Sequence, residues 1–231
     1  MNARPMAPRA HPREAAGLAG RGLPLLALLA LGACSGAGGW TPHDLGGAVI
    51  TPSIPKPDFT LTDTQGRPFD FRARTHGKVA LLYFGYTHCP DVCPLQMSHI
   101  AAALHRLGSE IADEVVVVFV TVDSVRDTPA RLREWLDAFD SSFVGLTGGL
   151  ARVNAIQTGT HILAASRAEP DGHGGYTMGH SAIVLAFTRD DSAHVAFPSQ
   201  VTPDGWTTDI ERLVAVGPPP ASMRPGAGKG E

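Results

Sequence analysis

Two nearly continuous apolar runs dominate the pattern of the chain: Val79-Ala80-Leu81-Leu82-Tyr83-Phe84 and Val115-Val116-Val117-Val118-Phe119-Val120. Runs without alternation suit strands buried on both faces. Between them Leu95, Ile100, Ala103, Leu104 and Leu107 recur at helical spacing, with Gly108 as a stop. A strand, helix and strand in this order predict a right-handed parallel crossover. Upstream, Phe59-Thr60-Leu61-Thr62-Asp63 alternates with period two, and a second alternating stretch follows Gln65-Gly66-Arg67, which predicts an amino-terminal hairpin. Downstream, Thr128 and Pro129 suit the cap and first position of a helix whose Leu132, Trp135, Leu136 and Phe139 face the sheet. A short helix over 150–157, strands over 161–164 and 181–187, and a last helix over 209–214 complete the pattern.

The ends of the chain do not share it. Arg4, Arg9, Arg13 and Arg21 form a basic leader, residues 23–31 an apolar core, and small residues follow, the three zones of an export signal. The core is about half the length that spans a bilayer. Leu31-Gly32-Ala33-Cys34 resembles the lipobox of bacterial lipoproteins, in which the cysteine is lipidated and becomes the new amino terminus. An ordinary signal peptide with a cysteine near the cut is the alternative. These features divide the chain into a lipoprotein-type signal peptide (1–33), a lipid anchor at Cys34 with a flexible tether (34–56), a folded domain (57–216) and a disordered tail (217–231) rich in Pro and Gly. The length of 231 residues, 43% hydrophobic and 18% charged, fits one domain with tails. Removing residues 1–33 takes four of the 19 basic and one of the 22 acidic residues, leaving 15 and 21, a net charge of −6. That balance argues against nucleic acid as a partner.

Cysteine usage narrows the chemistry. With Cys34 assigned to the anchor, Cys89 and Cys93 are the remaining thiols, and a bridge closing so short a loop would stabilise little. The pair is better explained by reactivity than by stapling. Pro94 disfavours a helical Cys93, so the long helix is expected to start at Pro94 with Cys93 as its cap. At a helix amino terminus the dipole favours thiolate, which prepares a nucleophile or a metal ligand. Mixed strands and helices with such a pair at the end of the first buried strand describe an α/β, thioredoxin-like architecture: a central mixed sheet flanked by helices, with the hairpin as an amino-terminal extension. Two thiolates suit Cu(I), and Cu(II) would want an imidazole as well. Among ten histidines, His88 diverges from its neighbour Cys89, and His99 and His105 lie on the helix. His180 opens the last apolar strand after a Gly-rich loop.

Three pieces, Phe84-Gly85-Tyr86-Thr87-His88-Cys89-Pro90-Asp91-Val92-Cys93-Pro94, Val122-Asp123-Ser124-Val125-Arg126-Asp127-Thr128-Pro129 and His180-Ser181, resemble the Sco/SenC family of copper proteins, over about residues 57–215. The resemblance implies one copper per chain, Cu(I) or Cu(II), held by Cys89, Cys93 and His180. It also implies a role in assembling the binuclear copper centre of cytochrome c oxidase, with an oxidase subunit as acceptor and an upstream copper donor. Gly179 departs from the pattern, since an acidic residue is expected before the histidine. Asp123 is a candidate auxiliary group, Asp127 reads as a turn or cap residue, and Met97 and Met178 are candidate soft ligands more simply explained by packing. The expected function is an exported, membrane-anchored copper metallochaperone, outside the cytoplasmic membrane of a bacterial cell envelope. The rival is an enzyme, a thiol-disulfide reductase keeping the acceptor's cysteines reduced, although three residues between the cysteines rather than two argue mildly against it.

Overall fold

The structure, a computed structural model, describes residues 45–169, 175–215 and 217. The expected signal peptide, Cys34 and the tail beyond 217 lie outside the described residues. The elements are β1 (Ala48–Pro55), β2 (Thr60–Asp63), β3 (Pro68–Asp70), α1 (Phe71–Arg74), β4 (Val79–Gly85), α2 (Val92–Leu107), α3 (Ser109–Ala112) and β5 (Val115–Thr121). They continue with α4 (Pro129–Asp137), β6 (Val144–Thr147), α5 (Leu150–Gly159), β7 (Ser166–Arg167), β8 (Met178–Gly179), β9 (Val184–Phe187), β10 (Ser192–Phe197) and α6 (Pro203–Ala215).

Among the described residues the main sheet has eight strands in the order β1-β10-β9-β4-β5-β6-β2-β3, and β7 and β8 form a separate ribbon. The two apolar runs become β4 and β5, parallel neighbours at the centre. Every residue of β4 is buried, which is why its sequence does not alternate. β6 continues the parallel set, and β9 flanks β4 antiparallel, so the sheet is mixed. The amino-terminal hairpin is β2 and β3, turning through Gly66 at φ 77. Helix α2 crosses over between β4 and β5 and packs against α6, whose buried Trp206 stacks on Phe197 at 4.1 Å between ring centroids. This is a thioredoxin-like fold with a mixed central sheet flanked by helices.

The structure departs from the sequence expectations at four places. Residues 48–55, read as tether, form β1 on the edge of the sheet beside β10, with an irregular register between Val49 and Ile54. Pro52 and Pro55 obscure that strand in the sequence, and an edge is where prolines are tolerated. Residues 161–164 do not form a strand. Asn154 and Gln157 on α5 hydrogen-bond the backbone of Leu163 and Ala165, so this segment folds onto its own helix. Strands β6 and β10 carry no long apolar run and were not anticipated. Lastly, α2 begins at Val92, so Cys93 and Pro94 lie inside its first turn and Asp91 precedes it. Pro94 is accepted there because first-turn N–H groups need no helical acceptor. Among the described residues no helix is long and apolar enough to cross a membrane.

Candidate metal centre

The site is built where β4 ends and α2 begins. Gly85 closes β4, and its missing side chain makes room: a Cβ there would lie 2.8 Å from Cys93 Sγ and 2.8 Å from the Phe119 ring. The connecting loop is fixed by Asp127, which is fully buried. Its carboxylate accepts from the Thr87 amide at 2.9 Å, the Thr87 hydroxyl at 2.7 Å and the Thr121 hydroxyl at 2.6 Å. Of the two readings of Asp127, turn or cap, the turn holds, its amide donating to the Asp123 carbonyl at 2.9 Å, and the cap does not. Thr128 caps α4 by accepting from the Arg131 amide, and Asp127 instead ties the end of β5 to the loop carrying the first cysteine.

Cys89, Cys93 and His180 come together, their donor atoms all within 4.8 Å of one another. Cys93 Sγ and His180 Nε2 are 3.0 Å apart, and the Tyr83 hydroxyl donates to Cys93 Sγ at 3.4 Å. Both cysteines are free thiols; Cys89 is 8% exposed and Cys93 not at all. Their protonation is unequal. Cys89 is held down to about 6, first by a hydrogen bond from the Cys93 thiol and then by the Asp91, Cys93 and Val92 amides at the start of α2, against the opposing effect of burial. Cys93 is pushed far up, chiefly by burial and then by serving Cys89 as donor. At neutral pH the pair therefore holds one proton and one negative charge. Burial pushes the His180 imidazole down, which keeps it neutral and able to ligate. Two sulfurs, one of them thiolate, and a neutral imidazole nitrogen form a donor set that fits copper in either common oxidation state.

His180 reaches the thiols from the β7–β8 ribbon. Tyr86 lies edge-on to its ring at 5.3 Å between centroids, and the Tyr86 hydroxyl bonds the Met178 backbone. Gly179 pairs with Ser166, whose exposed hydroxyl would sit 3.1 Å from an added Cβ, so a side chain there requires that hydroxyl to turn aside. Asp123 is buried at the end of β5, but its carboxylate is engaged by Arg126 and by the Tyr176 hydroxyl at 2.7 Å, apart from the three donors. His88 faces Asp127 at 3.5 Å, His99 Nδ1 contacts the Val201 carbonyl at 2.9 Å, and His105 lines a separate cavity. Met97 is fully buried in α2 and Met178 nearly so. Sequence reasoning missed Gly85, Tyr83, Tyr86 and Tyr176. Gly85 and Tyr86 stood inside the cysteine motif, but no periodicity marks a residue that acts by contact.

The chain is similar to several known proteins. An SCO2-like protein of Rickettsia conorii is 33% identical over 125 residues, which span 54% of this chain and 60% of that protein, under two thirds of its length. The structure of Bradyrhizobium japonicum ScoI with copper bound is 35% identical, with a TM-score of 0.61 over 69% of this chain and 98% of that one. Yeast Sco1 with copper bound is 26% identical, with a TM-score of 0.62 over 75% of this chain and 94% of that one. The sequence profile of the SCO1/SenC family matches residues 50–215, well over half of the protein, and the chain belongs to that family.

Proposed function

We propose that this chain is an exported copper metallochaperone that carries one copper ion per chain, Cu(I) or Cu(II), on Cys89, Cys93 and His180. It passes that ion to the cytochrome c oxidase subunit bearing the binuclear copper centre. The observation that carries the reading is the convergence of two thiols and one imidazole within 4.8 Å, at the carboxyl end of β4. Copper is cargo here, and the chain's own contribution is to present donors in a state ready to bind. Cys89 is already thiolate at neutral pH, Cys93 needs to release one proton, and His180 none. Displacing ligands one at a time by an acceptor's thiolates lets the ion leave without being set free in water. The lipobox-like stretch ending at Cys34 supports export and lipid anchoring in the cell envelope.

Copper titration of the reduced chain tests the reading, with wild-type protein expected to bind one ion and Cys89→Ser, Cys93→Ser and His180→Ala each to bind it far more weakly. Undiminished affinity in His180→Ala would remove the imidazole from the site. Anchoring predicts that labelled palmitate is incorporated into the wild-type chain and not into Cys34→Ser. One observation favours a second reading, a thiol-disulfide reductase acting on the acceptor's cysteines. The low Cys89 and high Cys93 are the nucleophile and resolving thiol that exchange requires. A strongly reducing Cys89–Cys93 pair with weak copper binding, indifferent to His180→Ala, would decide for the enzyme.

A further inference from the structure

His180 is the only one of the three donors that does not belong to the cysteine loop and α2. It follows β8, one half of a two-stranded ribbon that stands outside the main sheet. A ribbon of two residues per strand has little stability of its own, so something else must hold the imidazole in place. Four residues before His180, the Tyr176 ring has the Arg126 guanidinium 3.6 Å from its centroid and the Arg167 guanidinium also 3.6 Å away. Two such groups cannot share one face at that distance, so the ring is sandwiched between them. Its hydroxyl donates to Asp123 at 2.7 Å, its carbonyl accepts from Arg126 Nη1 at 2.9 Å, and Asp123 pairs with Arg126. Arg126 also reaches the Tyr86 ring at 5.7 Å, the ring that lies against His180. The fixed ends of this network are Asp123 and Arg126 on the loop after β5 and Tyr86 on the loop after β4, and its far end is the ribbon.

We propose that Tyr176 is a positioning residue for the metal site: clamped between Arg126 and Arg167 and tied to Asp123, it docks the β7–β8 ribbon on the β5 loop and so holds His180 against Cys93. This places Asp123 in the site's support, one step removed from the ligands. The sandwich is directional, because Arg167 belongs to β7 and Arg126 to the β5 loop, so the tyrosine joins the ribbon to the body of the domain. Side chains that orient a ligating histidine are commonly worth about tenfold or more in metal affinity.

This inference rests on the copper-binding reading, and the experiment separates the two. In the full chain, purified in detergent and reduced, Tyr176→Ala is expected to weaken copper binding about tenfold. Tyr176→Phe keeps the sandwich and loses the Asp123 bond, so it should fall between that variant and wild type. In a His180→Ala background the same substitutions should cost nothing further, since they act through the imidazole. In metal-free protein, NMR should show contact between the His180 and Tyr86 rings in wild type, and that contact should be lost in Tyr176→Ala. Additive losses in the His180→Ala background, or a ring contact that survives Tyr176→Ala, would overturn the proposal. If Tyr176→Ala does not fold, Tyr176→Phe and Arg167→Ala, which uncovers one ring face, carry the same comparison. A wild-type chain that binds no copper would defeat the proposed function while the metal-free ring contact still decides the role of Tyr176.

Discussion

Replacing Gly85 by alanine adds one methyl group at the end of β4, and the structure fixes where it must go. Its carbon would lie 2.8 Å from Cys93 Sγ and 2.8 and 2.9 Å from two ring carbons of Phe119. Comfortable contact begins at about 3.5 Å, so three overlaps of about 0.6–0.7 Å arise together. Neither neighbour has room to retreat. Both are without solvent exposure, and Phe119 is packed between Tyr83 at 5.6 Å and Trp135 at 5.0 Å. Gly85 is not at positive φ, so the cost is steric rather than conformational. Overpacking of this kind destabilises by about 1–3 kcal/mol, and three simultaneous overlaps argue for the upper part of that range. With a urea m-value of about 2 kcal/mol/M, the unfolding midpoint should fall by about 1 M at unchanged slope. Displacing Cys93 from Tyr83 and His180 should also lower copper affinity. Adding Phe119→Leu relieves the ring overlaps but not the sulfur overlap, so it should recover part of the stability and none of the affinity. A Gly85→Ala chain that unfolds at the wild-type midpoint and binds copper as wild type does would refute the reasoning.

Three further outcomes are expected. Asp127→Ala leaves the buried Thr87 amide without its acceptor and should destabilise by about 1–3 kcal/mol, with looser copper binding as the Cys89 loop relaxes; urea unfolding and copper titration check both. Alkylation of the reduced chain should label one thiol with a midpoint near pH 6, the reactive thiolate being present above that pH and lost below it, because Cys93 holds Cys89 down to about 6. A single midpoint above about pH 8, the range of an ordinary thiol, would contradict it. Asp191 is held below the usual carboxylate range, first by its hydrogen bond from the buried Lys56, with an ion-pair distance of 2.7 Å. Its contribution is therefore complete above the unfolded value of about 3.9 and lost as pH falls through the lower folded value. Asp191→Ala should destabilise by about 3–5 kcal/mol, measured at neutral pH, since it strands a buried ammonium.

What the sequence reveals follows from what leaves a pattern in it. β4 and β5 were legible because burial on both faces forces unbroken apolar runs, and α2 because one face repeats at helical spacing. β1 was not, because its stability comes from pairing with β10 while its prolines read locally as linker. Cys89 and Cys93 declared themselves by type and spacing, and His180 by its place before an apolar strand. Asp127 was legible as a turn residue but its tie to the cysteine loop was not, for a reason of distance. Its partner Thr87 lies 40 residues away, and a buried carboxylate that joins two loops looks in sequence like any turn aspartate. Tyr176 illustrates the same limit, since its neighbours Arg126 and Asp123 meet it only after β5 and the β7–β8 ribbon have been folded together.

The unequal burial of the two cysteines gives the site a front and a back. Cys89 touches solvent and Cys93 does not, although they are neighbours on one loop and helix start. Whatever approaches from outside, an ion, an oxidant or another protein's thiol, meets the Cys89 sulfur before it can meet that of Cys93. Of the two sulfurs, the one within reach is that of Cys89, beside the partly exposed His180, while Cys93 lies closed off under Gly85 and Tyr83.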